Sequence, residues 1–171
     1  MNRSLICAGV IAAVAAGIGQ TAGASLVSAA AADPCARANA AVDSIVGFRQ
    51  GTFTTVYANT KVPASAATGG ATAVATRCIF TKRGTPMEII LTHYTISRSR
   101  TLNEIIREEK AGNKGATVKT YPGLSVPAIV ATAGNVKDVA GAFGSNEFHV
   151  TFVNALAPKT VNSLAKIAAN L

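Results

Sequence analysis

VKDVAGAFGSNEFHVTFVN, residues 136–154, reads as two strands joined by a tight hairpin at Gly144-Ser145-Asn146. In the second strand apolar and polar residues alternate. Phe148, Val150 and Phe152 fall on one face, and Glu147, His149, Thr151 and Val153 fall on the other. Alternation of this kind marks a strand with one face on a core, as antiparallel sheets require.

Working upstream, PAIVATA (127–133) reads as another strand and YPGLSVP (121–127) as a turn. ATVKTY (116–121) reads as a short strand. Thr101-Leu102-Asn103-Glu104 has the spacing of a capping box, so a helix is predicted from there to about Ala111, ending at Gly112. Its buried stripe is Leu102, Ile105 and Ile106. ATRCIFTK (75–82) and MEIILTHYTI (87–96) form a predicted hairpin across Arg83-Gly84-Thr85-Pro86, and GTFTTVYANT (51–60) reads as a strand before them. KVPASAATGGATA (61–73) is a small-residue loop. Asp33 suits an N-cap, Pro34 suits the first helical position and Gly47 is a natural stop, so a helix spans the segment between them. Downstream, Pro158 opens a final helix with Val161, Leu164, Ala165 and Ala168 as its apolar stripe.

The predicted order is helix, three strands, helix, three or four strands, helix. Strand groups joined by hairpins, with helices between the groups, predict an α+β fold with a mainly antiparallel sheet of six or seven strands. Residues 33–171 form one domain in this reading, long enough for a sizeable core.

Residues 1–32 read as a secretory signal peptide. Arg3 supplies the positive start, Leu5 to Gly19 is uncharged and apolar, and small residues follow. Cleavage after Ala24 or after Ala32 fits, and Asp33-Pro34 as a helix opening favours Ala32. The apolar run falls short of the roughly 20 residues that a membrane span needs. A lipidated cysteine is not expected. Cys7 comes too early, and Cys35 follows Asp33-Pro34. A secreted or envelope location follows.

That address fixes the expected chemistry of Cys35 and Cys78, the two cysteines left after cleavage. In an oxidising compartment they are expected to pair, pinning the first helix to a strand. No C-x-x-C motif suggests a redox centre.

Charge is unevenly placed. Residues 33–171 hold 15 Lys and Arg against 8 Asp and Glu, and residues 61–119 alone hold ten against four. Lys82 and Arg83 sit at a predicted turn. Arg98 and Arg100 precede the second helix, and Lys110, Lys114 and Lys119 end or follow it. On one surface these residues would attract an anionic envelope polymer, a lipid headgroup or an acidic protein. Glu104, Glu108 and Glu109 lie among them, and Arg100–Glu104 has the spacing of a helical pair, so partial self-neutralisation is the competing expectation. Export argues against nucleic acid as the partner, as does the lack of interleaved aromatics.

Catalytic patterns are sparse. Ser125 lies in a turn but lacks the second glycine of a nucleophile elbow. His93 and His149 are candidate bases and Asp43 and Asp138 candidate carboxylates, with no spacing that joins them. No metal or cofactor is predicted, because the two histidines lie far apart and the cysteines are expected to be oxidised. Glu108 and Glu109 point in different directions on a helix. TGGAT (68–72) has no lysine after it to make a phosphate loop.

Several short motifs carry a resemblance. They are Asp33-Pro34-Cys35 before a helix ending at Gly47, Cys78-Ile79-Phe80, Ile89-Ile90-Leu91, Gly123-Leu124, and Leu164-Ala165-Lys166-Ile167-Ala168 at the end. The chain resembles small exported actinobacterial proteins of unknown function, many of them lipoproteins, and extracellular sensor-type domains of the same bacteria. The missing lipidation cysteine departs from the lipoprotein members. The resemblance implies a secreted or envelope binding role and supplies no catalytic residues. The expectation is therefore a non-enzymatic exported binding domain. The alternatives are a secreted hydrolase using a histidine base, and a secreted enzyme inhibitor presenting loop 61–73.

Overall fold

The computed structural model describes residues 33–47, 53–63, 70–82, 84–85, 87–113 and 115–171. The expected signal peptide, Arg83, Lys114 and residues 64–69 of the loop lie outside the described residues.

The elements follow the expected order. Helix α1 (Pro34–Val46) precedes β1 (Phe53–Val62), β2 (Ala73–Lys82) and β3 (Glu88–Ile96). Helix α2 (Leu102–Gly112) precedes β4 (Thr117–Thr120), β5 (Ala128–Ala133), β6 (Val136–Phe143) and β7 (Asn146–Val153), and α3 (Pro158–Ala168) closes the chain. The fold is α+β.

Local signals set the helix ends. The Asp33 carboxylate accepts from the backbone N–H of Cys35 at 2.8 Å and of Ala36 at 3.4 Å, and Gly47 ends α1 in the left-handed region at φ 71°. The capping box of α2 is complete. Glu104 N–H donates to Thr101 Oγ1, and Thr101 N–H donates to Glu104 Oε2 at 2.8 Å.

The seven strands form one antiparallel sheet in the order β1-β2-β3-β7-β6-β5-β4. Two meanders, β1–β3 and β4–β7, are thus zipped together along β3 and β7, with Leu91 opposite Val150 and Ile89 opposite Phe152. Gly144 takes φ 60° in the two-residue turn that sets the β6–β7 register, pairing Phe143 with Asn146.

On the first face of the sheet, α1 and α3 cover Cys78, Phe80, Ile89, Leu91, Phe148, Val150 and Phe152 with Cys35, Val42, Val161 and Leu164. The β4–β5 connection folds over the same face, with Tyr121, Leu124 and Val126 against this core. Tyr121 Oη donates to Asn162 Oδ1 of α3 at 3.0 Å. On the second face α2 packs on β4, β5 and β6, burying Ile105 against Ile129 and Ala140. No described helix packs on the second face of β1–β3. The disulfide Cys35–Cys78 joins α1 to β2, with the Cα atoms 5.4 Å apart. Among the described residues no helix is long and apolar enough to cross a membrane.

Candidate functional site

The second face carries charge where the first carries apolar side chains. Strand alternation puts Glu147, His149 and Thr151 of β7 there. The register places Asp138 of β6 opposite Thr151 and Ala140 opposite His149. On the other side Thr92 of β3 lies opposite His149, and Arg77 of β2 opposite Thr92. His149 is therefore flanked by two small side chains, which leaves room for its ring and for groups from α2. Tyr94 meets that ring edge-on, with centroids 5.4 Å apart.

Both ring nitrogens of His149 are engaged. Nδ1 donates to Asp138 Oδ2 at 2.7 Å and Nε2 to Glu147 Oε1 at 2.6 Å. Thr151 Oγ1 donates to the other Asp138 oxygen at 2.7 Å. From α2, Glu109 brings Oε1 to 4.0 Å from His149 Nδ1, while Asn113 Nδ2 donates to Glu109 Oε2 at 3.0 Å. One oxygen from each of Glu109 and Asp138 and one nitrogen of His149 lie within 4.8 Å of one another. Arg100 closes the cluster from the segment before α2. Its Nη1 lies 2.9 Å from Glu147 Oε2, and its Nη2 pairs with Glu108.

The ionisation states follow from these contacts. Burial alone disfavours an imidazolium, but the charges of Asp138 and Glu147 and their hydrogen bonds outweigh it, holding His149 well above the ordinary histidine value. Burial would likewise raise Asp138, but His149 and Thr151 bring it below its usual value. Burial raises Glu109 despite the attraction of His149, and it raises Glu108 despite Arg100. The cluster is thus an imidazolium clamped by two carboxylates, with a third carboxylate alongside.

Among the described residues, the basic residues singled out from the sequence are spread over the fold. Lys82 and Arg98 lie beyond opposite ends of the β2–β3 ladder, which runs from Thr81–Glu88 to Ala73–Ile96. Eight residues of strand place those ends about 27 Å apart. Arg98 is exposed and pairs with Glu104 at 2.6 Å. Arg100 does not belong to a solvent-facing patch, because its side chain is 6% exposed and turned inward onto Glu108 and Glu147. The Arg100–Glu104 pair suggested by spacing does not form. Thr101 is the N-cap, so Arg100 precedes the helix and i,i+4 geometry does not apply to it. Lys110 on α2 and Lys119 on β4 are exposed.

The candidate catalytic residues are also sorted by the sheet. His93 is on the first face, where its Nε2 lies 3.1 Å from Asn146 Oδ1. Asp43 is buried in α1. Ser125 is in the connection that folds over the first face, across the sheet from Asp138 and His149. The convergence of Glu109 and Glu147 on His149 had one legible component, the polar side of β7. The rest depends on which strand β7 neighbours and on where α2 docks.

No protein-family model matches the chain, and no curated protein matches it in sequence. Among solved structures it is similar to an uncharacterised protein from Mycobacterium smegmatis, the Rv0999 ortholog. The TM-score is 0.43 with 9% identity over 74% of this chain and 94% of that one. A likeness of this size assigns neither family nor function.

Proposed function

We propose that the chain is an exported, non-enzymatic binding domain whose partner is a phosphate-bearing component of the cell envelope, met on the outer side of α2. The observation that carries this reading is the sorting of charge on α2. Glu104 is held by Arg98, Glu108 by Arg100, and Glu109 turns toward His149. Arg107 and Lys110, one turn apart, are left exposed on the outer side of α2, whereas Lys119, opposite Val130 on β4, belongs to the other face of the sheet. Glu108 and Glu109 turn inward and Glu104 is matched at the surface by Arg98, so Arg107 and Lys110 leave the outer side of α2 positive. Such a surface draws polyanions from solution.

Export is supported by the Cys35–Cys78 bond, a bond that persists in oxidising compartments. A non-enzymatic role is supported by the sheet that stands between Ser125 and the Asp138–His149 pair. The test is sedimentation with phosphatidylcholine vesicles, with and without phosphatidylglycerol, at low and high salt. Soluble polyphosphate as competitor distinguishes a phosphate polymer from a lipid surface. Binding to the anionic vesicles or to polyphosphate should weaken as salt rises, and it should fall in the double variant Arg107→Glu, Lys110→Glu. Salt-insensitive binding, or none to either probe, refutes the reading.

A further inference from the structure

Glu109 directs Oε1 from α2 toward the His149–Asp138 pair. The side chain is 15% exposed and Asn113 occupies its other oxygen. His149 Nδ1 is 4.0 Å away, beyond hydrogen-bond reach, and points to Asp138. The Glu109 oxygen thus faces a ring nitrogen and a second carboxylate across a gap of ionic size.

We propose that His149 Nδ1, Asp138 Oδ2 and Glu109 Oε1 bind one divalent transition-metal cation of the zinc or manganese type. Three separate elements, β7, β6 and α2, supply the donors, and all three donor atoms lie within 4.8 Å of one another. Ligands about 2.0–2.2 Å from a tetrahedral zinc stand about 3.3 Å apart. The observed separations of 2.7 Å and 4.0 Å from Nδ1 bracket that value, so small side-chain movements complete the cup. The cation takes the position of the proton that Nδ1 now directs at Asp138, and that proton is released to solvent.

The supporting contacts of such a site are already in place. A metal-bound histidine characteristically donates its other ring N–H to a carboxylate, and ligating carboxylates are themselves hydrogen-bonded. Nε2 donates to Glu147, which Arg100 holds in turn. Thr151 secures Asp138, and Asn113 secures Glu109. Charge balance points the same way. Glu108, Glu109, Asp138 and Glu147 face Arg77, Arg100 and His149, four acids against three bases, and exchanging a proton for a divalent cation removes the deficit. One imidazole with carboxylates suits zinc or manganese. Calcium and magnesium take all-oxygen sets, and copper(I) prefers sulfur. Three protein ligands leave the remaining positions to water or to an anionic group.

The test is calorimetric titration of the tag-free, chelator-treated chain with zinc chloride, repeated with manganese chloride. One equivalent should bind, and Glu109→Gln should weaken it at least about tenfold while leaving the circular dichroism unchanged, because Glu109 is outside the His149 clamp. Asp138→Asn should also weaken it. The variant Arg107→Glu, Lys110→Glu should not, which separates this site from the basic surface. Absence of saturable binding by either metal in the wild-type chain overturns the proposal, and so does binding that Glu109→Gln and Asp138→Asn leave intact.

Discussion

Arg100 reaches from the segment before α2 to Glu147 on β7, Nη1 to Oε2 at 2.9 Å, with side chains only 6% and 3% exposed. This ion pair ties the α2 end of the chain to the strand that joins the two meanders. Removing Arg100 takes the cation from Glu108 and leaves Glu147 with His149 alone, and a buried charge left uncompensated costs about 3–5 kcal/mol. Arg100→Met should therefore lower the urea midpoint strongly. The double variant Arg100→Met, Glu147→Leu should be less damaged than the sum of the two single changes. Additive losses in that cycle would show that the two charges do not depend on each other.

The Cys35–Cys78 bond closes a long stretch of chain, with a sequence separation of 43. Chain-entropy arithmetic puts its contribution at about 4 kcal/mol, a large share of the roughly 5–15 kcal/mol of a typical domain. Cys35→Ala, Cys78→Ala should unfold at markedly lower urea, and wild-type protein under reducing denaturation should match it. Both positions are fully buried, so alanine adds a small packing loss. A double variant as stable as the wild type would show that the brace is dispensable.

Gly141 lies opposite Phe148 in the β6–β7 ladder, and the ring crosses the space where a side chain would stand. A Cβ at position 141 would come within 2.6 Å of the Phe148 ring. Phe148 is fixed in the first-face core and has little room to move. Gly141→Ala should cost about 1–3 kcal/mol through overpacking. Adding Phe148→Leu should recover part of that loss, measured by thermal unfolding of the two variants.

The fold was legible because its signals are local. Alternation in β7, the capping box before α2 and Asp33-Pro34 before α1 each fix an element from a few neighbouring residues. Two cysteines in an expected oxidising setting sufficed for the disulfide. The cluster around His149 depends on long-range facts. Asp138 meets Thr151 because a two-residue turn sets the β6–β7 register, and Thr92 meets His149 because β3 is the next strand to β7. Glu109 arrives because α2 docks on the second face. Arg100 was misread for a related reason: spacing suggests a helical partner, but an N-cap at Thr101 takes Arg100 out of the helix.

Glu104 is the clearest source of acid sensitivity. The hydrogen bond from Arg98, followed by that from the Thr101 backbone, lowers its carboxyl from 4.5 to about 2. A folded value below the unfolded one means that the ionised form favours folding. The contribution is complete above the unfolded value and disappears as pH falls from about 4.5 toward 2. The site is at the surface, so the effect is modest and should shrink with added salt. In Glu104→Gln the fall in unfolding midpoint across that pH window should be shallower than in the wild type, while the Thr101 cap can still accept from the backbone N–H at position 104. Arg98→Ala should raise the Glu104 midpoint seen by carbonyl NMR toward the ordinary value, leaving the Thr101 backbone and hydroxyl hydrogen bonds to hold it down. An unchanged midpoint in Arg98→Ala would assign the depression to the cap alone.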